Sequence, residues 1–157
     1  MANKKVEENI QQSFCNWLKL QHPNVIFKSD LSGIKLTKGQ AAKVSKGRSS
    51  AGFCDLDILE PNLEWKGLFF EFKTSSPFKP NGELYKMVRY RKYNGLKVPY
   101  DHLQEQQDMI SKLIKKGYFA CFVWSLGMAI AIFEAYIKND VIPLTDPNCI
   151  LDNPPFN

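Results

Sequence analysis

Ile10, Phe14, Trp17 and Leu18 recur at helical spacing, so residues 3 to about 21 read as an amphipathic helix. Gln21 extends the stripe at one end, Glu7 and Gln11 continue it toward the N-terminus, and Pro23 ends the helix. Val25 to Lys28 suits a short strand. Thr37 to Gly47 suits a short helix capped by Thr37. Phe53 to Leu59 and Gly67 to Lys73 are apolar, strand-like runs separated by EPNLEWK, which supplies turn residues for a hairpin. Residues 74–101 hold three prolines and two glycines with no clean period, and read as a long loop or insertion. Leu103, Gln106, Ile110, Leu113 and Ile114 line one face of a helix that starts near Asp101 and stops at Gly117. Tyr118 to Trp124 is a buried strand, Leu126 to Lys138 a final apolar helix, and the proline-rich tail 139–157 is irregular. This order predicts a mixed α/β sheet with helices on its faces.

Length fits one domain. The 157 residues leave no room for a second domain of ordinary size, with a core at about 5–138. Hydrophobic residues at 44% and charged ones at 24% exclude a disordered or fibrous chain. MANKKVEEN has no apolar run behind its lysines, so it does not read as a signal peptide. Cys15, Cys54, Cys121 and Cys149 form no close pair, which argues against zinc and for free thiols in a reducing cytoplasm. The apolar run 118–133 is too short to span a bilayer.

The net charge is +5, and it is uneven. Residues 1–50 carry nine basic and three acidic side chains, residues 51–101 eight and seven, and residues 102–157 four and six. One basic run comprises Lys35, Lys38, Lys43, Lys46 and Arg48, with no acid among them. A second, within 79–97, includes Lys86, Arg89, Arg91 and Lys92 and is interleaved with tyrosines. Cations meet phosphates and tyrosines stack on unpaired bases, so both runs are candidate nucleic-acid contacts. Neither contains a base-reading motif, which favours recognition of shape over sequence.

The segment GLFFEFK carries the most chemical information. On a strand, Phe70 and Phe72 face one way, while Glu71 and Lys73 face the other. A hairpin folding near Asn62 and Leu63 brings Asp55 level with Glu71. Two carboxylates beside an ammonium suit Mg²⁺, which takes oxygen ligands and keeps waters, with the lysine placed to orient or deprotonate a water. Such a pattern also occurs as a plain exposed ion pair. Glu7, at the edge of the first helix's packed stripe, can supply a third acid, although Glu8 is as good a candidate. Gln106 stands on an inward helix face where an apolar residue would be usual, and a buried amide needs a partner.

Taken together, E-N-I-Q around Glu7 to Gln11, the run L-T-K-G-Q-A-A-K-V-S-K-G-R-S-S-A-G-F-C-D-L, then G-L-F-F-E-F-K, H-L-Q-E-Q and K-K-G-Y-F-A resemble the stand-alone, phage-type VRR-NUC domain of the PD-(D/E)XK nuclease superfamily. The resemblance implies a restriction-endonuclease-like core and a Mg²⁺- or Mn²⁺-dependent endonuclease. It implies branched DNA, of Holliday-junction or flap type, as substrate and a homodimer as the working form. It places Asp55 and Glu71 as metal-binding acids, with the Phe72 carbonyl as a further ligand. It also implies Lys73 as catalytic lysine, Glu7 as first-helix acid with Gln11 beside it, and Gln106 as the glutamine of the helix after the sheet. Cys54 stands where the family usually has proline. Two other readings stay open: a non-catalytic DNA-binding module on the same fold, and a sequence-specific restriction-type enzyme.

Overall fold

The computed structural model describes residues 2–29, 37, 39 and 53–142, with side chains from residue 5 onward. Helix α1 (Ala2–Gln21) leads into strand β1 (Phe27–Ser29), and β2 (Leu56–Ile58) and β3 (Leu68–Phe72) follow. Next come β4 (Val88–Tyr93), β5 (Leu96–Asp101), α2 (His102–Lys115), β6 (Phe119–Val123) and α3 (Leu126–Lys138). Four strands form one sheet in the order β1-β2-β3-β6. The first two junctions are antiparallel, and β3 runs parallel to β6. The mixed sheet flanked by helices agrees with the sequence expectation.

Both central strands are buried along their whole length, which is why β3 and β6 read as nearly continuous apolar runs. Strand alternation still sorts their side chains. Leu68, Phe70, Phe72, Phe119, Cys121 and Val123 face a core completed by Phe14 and Leu18 of α1 and by Ile132, Phe133 and Tyr136 of α3. Phe69, Ala120 and Phe122 face the other way, under Met109, Ile110 and Leu113 of α2. The apolar stretch 118–133 is thus absorbed mainly by the interior of this chain.

Local chemistry fixes the ends of the elements. Asp101 caps α2, accepting from the backbone N–H groups of Leu103 and Gln104. Ser125 caps α3 through Met128 N–H, and Asn139 ends it in the left-handed region. The C-terminus of α3 also clamps the β2–β3 turn. The Tyr136 hydroxyl donates to the Glu60 carbonyl at 2.8 Å, the Asn62 amide donates to the Tyr136 carbonyl at 2.8 Å, and the Leu63 N–H donates to Asn139. Gly67, just before β3, leaves no room for a side chain, because a Cβ there would meet the Ile58 carbonyl oxygen at 2.9 Å.

The loop expected over 74–101 is partly a correction. Val88–Tyr93 and Leu96–Asp101 pair as a two-stranded antiparallel ribbon whose residues are mostly exposed. Its turn is Asn94-Gly95, with φ of 48° and 80°. That is the geometry of a two-residue hairpin loop of the mirror-image type. The absence of an apolar/polar period hid the ribbon, because neither face is buried and so neither had to alternate. The predicted helix over 37–47 and the tail beyond 142 lie outside the described residues, apart from Thr37 and Gly39.

The ribbon and the core differ in what a substitution should cost. Phe133→Ala empties a fully buried site where Phe14, Trp17 and His22 all meet its ring. It should lower stability by about 3–5 kcal/mol in chemical denaturation. Gly95→Ala strains only the exposed turn, and the global stability should move by about 1 kcal/mol or less.

Candidate active site

The register between β2 and β3 places Leu56 opposite Phe70, so Asp55 lies one step further along, level with Glu71, as a hairpin folding near Asn62 requires. Asp55 is held by its backbone and its side chain. Its N–H donates to the Phe70 carbonyl at 3.0 Å, and its Oδ2 accepts from the Phe72 N–H at 2.9 Å. The Asp55 carbonyl accepts from the Gln11 amide at 2.8 Å, and that amide also reaches Ser29 Oγ at 2.8 Å. Gln11 thus ties α1, β1 and the segment carrying Asp55 together.

Glu71 lies on the α2 side of the sheet and is 2% exposed. The sequence expectation left open what covers this face, and helix α2 covers it. Lys73 Nζ donates to Glu71 Oε1 at 2.7 Å and to the Phe72 carbonyl at 3.1 Å. The Gln106 amide donates to the same Glu71 oxygen, so the inward polar residue of α2 finds its partner. Lys73 also lies 5.5 Å from the Phe122 ring centroid, and its backbone N–H bonds to Val123 at the end of β6. The ammonium is therefore fixed from several sides.

Burial and the neighbouring Asp55 carboxylate push Glu71 up to about 8, against the opposing pull of Lys73. Glu7 joins the cluster from α1. Burial raises its value, Lys73 lowers it, Asp55 raises it, and a bond from the Thr74 backbone lowers it. Glu7 also lines a cleft beside Lys73. Burial and the Cys54 thiol's acidic neighbours push that thiol well above its ordinary range, so it packs as a small apolar side chain.

Glu71 Oε2 and Gln106 Oε1 are buried with no donor among the described residues, and Glu71 also meets the Asp55 carboxyl at hydrogen-bonding range. Orphaned acceptors beside a second carboxylate are what a hard cation satisfies. Asp55, Glu71 and the Phe72 carbonyl fit a divalent ion that keeps several waters. Among the described residues no cluster of three or more His, Cys, Asp or Glu side chains could hold a metal, so an ion without water ligands does not fit.

Sequence reasoning missed His102, the first residue of α2. Burial, Arg89 and Lys73 depress it to about 4, so it is neutral at pH 7, and its Nδ1 is buried without a partner among the described residues. Only its place in H-L-Q-E-Q hinted at it. The basic residues of the ribbon divide. Arg89 and Arg91 share one face, and Lys92 is on the other. Arg89 is within electrostatic range of Glu7 and His102. Arg91 pairs with Glu105 at 2.7 Å and stacks 3.6 Å above the Tyr100 ring, which fastens the ribbon to α2. Lys86 and Lys92 are exposed, while Lys35, Lys38, Lys43, Lys46 and Arg48 lie outside the described residues.

The raised Glu71 value bears on stability. Without metal, folded protein keeps a proton on Glu71 up to about 8, whereas the unfolded chain releases it near 4.5. The folded state therefore binds more protons between those values. Stability from this group is full below about 4.5 and is lost progressively as pH rises through 8. Glu71→Gln removes the ionisation. In melts with chelator its stability relative to wild type should rise between pH 4.5 and pH 8.5, by on the order of a few kcal/mol. Parallel pH profiles for the two proteins would mean that Glu71 ionises as freely in the fold as in the unfolded chain.

No family model matches the chain, and no curated protein does. Among solved structures, one described as a VRR_NUC domain protein aligns over 88% of this chain and 97% of its own, with 22% identity and a TM-score of 0.56. At that identity the likeness concerns architecture, and the chain has a VRR-NUC-like fold.

Proposed function

We propose that the protein is a divalent-metal-dependent DNA endonuclease that cuts branched DNA. The observation that carries this reading is the buried Glu71, paired with Lys73 and Gln106 and set against the Asp55 carboxyl level with it. A DNA-binding module would gain nothing from carboxylates buried near phosphates. Here two acids converge, and three elements hold them in place. The bound ion would offset charge on the phosphate and activate water. Asp55, Glu71 and the Phe72 carbonyl would hold it. Lys73 would orient the attacking water and stabilise phosphate charge, Gln106 and Gln11 would hold the acids in register, and Glu7 would approach from the other side. Mg²⁺ and Mn²⁺ both accept oxygen ligands of this kind.

The exposed cations Arg89 and Lys92 of the ribbon, with Lys86 just before it, support DNA as the polyanion. They contain no base-reading motif, which supports a preference for shape over sequence. A pair of chains, each cutting one strand, suits a branched substrate and belongs to this reading.

The test is a cleavage panel of four-way junction, flap, fork, duplex and single strand, with Mg²⁺, Mn²⁺ or chelator. Metal-dependent nicking should be strongest on a branched form, with the enzyme sedimenting at twice 18.0 kDa. Asp55→Ala and Lys73→Ala should each cut rates by about 100-fold or more, with DNA binding retained. Undiminished cleavage by Asp55→Ala protein would refute the assignment. Tight binding without cutting of any form would favour the non-catalytic module.

A further inference from the structure

A cleft of about 770 Å³ opens beside this group, with Lys73 and Glu7 on its wall. Its other walls are largely aromatic and aliphatic: Phe78, Tyr85, Leu103 and Trp124. The chain puts them there for identifiable reasons. Lys73 N–H bonds to Val123, so the next residue, Trp124, comes out of β6 directly beside the lysine. Phe78 is braced edge-on against Phe122 at 5.8 Å. The segment 77–85 is a closed turn, joined by Tyr85 N–H to the Pro77 carbonyl at 2.8 Å and Lys79 N–H to the Glu83 carbonyl at 2.7 Å. Tyr85, 48% exposed, stands at its end. The hydroxyl side chains of Thr74, Ser75 and Ser76 supply polar groups along one side.

We infer that this cleft takes one unpaired nucleotide of the DNA, its base between aromatic side chains and its phosphate toward Lys73. The inference rests on the nuclease reading and deepens it by naming the local form of the substrate. Three features point to a nucleotide. The walls offer flat rings, which stack on any base without reading it. The hydroxyls suit hydrogen bonding at a base edge or sugar. Lys73 lines the cleft together with Glu7, and a phosphate entering it would meet that cation. A paired base cannot enter, because its edge and both faces are already engaged in the duplex, and extruding it costs a few kcal/mol that an unpaired base does not need. The cleft therefore selects flap bases and bulges, where bases are already free. It would do so without any sequence contact.

The experiment uses the full chain in chelator, so that no cutting is required. The probes are two oligonucleotide duplexes carrying 5-iodouridine, one in a two-nucleotide bulge and one fully paired. Ultraviolet cross-links are mapped by mass spectrometry, and binding is measured by anisotropy. The bulged uridine should cross-link to Trp124 or Tyr85, and the paired one to neither. Tyr85→Ala and Trp124→Ala should each lose that cross-link and reduce the preference for bulged over paired DNA by about five- to a hundredfold. Circular dichroism checks the fold of Trp124→Ala, and exposed Tyr85 provides a second variant with little packing to lose. Cross-links mapping only outside the cleft, or an unchanged preference in folded variants, would overturn the proposal. A protein that fails to cut DNA in Mg²⁺ yet gives the cross-link would lose the nuclease reading and keep this one.

Discussion

A carboxylate buried inside a sheet is the constraint around which the rest of the structure is arranged. Glu71 sits on β3 with apolar residues on either side in sequence, and is covered by α2. An isolated charge there would be costly, so the chain supplies Lys73 two residues on and Gln106 from the helix above. These contacts engage one oxygen, and the Asp55 carboxyl meets Glu71 as well. Burial and the Asp55 carboxylate push Glu71 up to about 8. A structural ion pair would not need a second acid at the same level. Asp55 is nevertheless there, with its backbone and side chain both anchored. The second acid beside the buried carboxylate is what supports the proposed cation site.

The architecture serves that place. Along α1, the stripe Glu7, Gln11, Phe14, Leu18 changes character partway. Phe14 and Leu18 are fully buried in the core, Gln11 holds Asp55, and Glu7 reaches the acid group. One helix face thus couples packing to chemistry, because residues three and four apart align on it. On the other side, α2 presents Met109, Ile110 and Leu113 to the sheet and Gln106 to Glu71. The ribbon is fastened to the first turn of α2 through Arg91 and Glu105, which keeps Arg89 close to the site.

Much of this was legible in the sequence, because the physics that fixes it is local or periodic. The Glu71 and Lys73 alternation follows from strand geometry, and the hairpin count set Asp55 level with Glu71. The odd polar residue on the α2 face announced Gln106, and Leu126 to Lys138 matched α3 to the residue. What failed had no periodic signature. The ribbon at 88–101 is exposed on both faces, so only its Asn-Gly turn marked it. The depression of His102 arises from a neighbourhood assembled from three separate segments, and the aromatic cleft from residues as far apart as Phe78 and Trp124. Spacing along the chain does not reveal such groupings.

The nuclease reading turns on whether Asp55 and Glu71 hold a divalent cation. Mn²⁺ binding to the DNA-free protein, followed by electron paramagnetic resonance near pH 7.5, tests that most directly. The wild type should bind Mn²⁺ saturably, and both Asp55→Asn and Glu71→Gln should lose that binding while each protein stays folded. Mn²⁺ binding of unchanged affinity in those two variants would contradict the assignment.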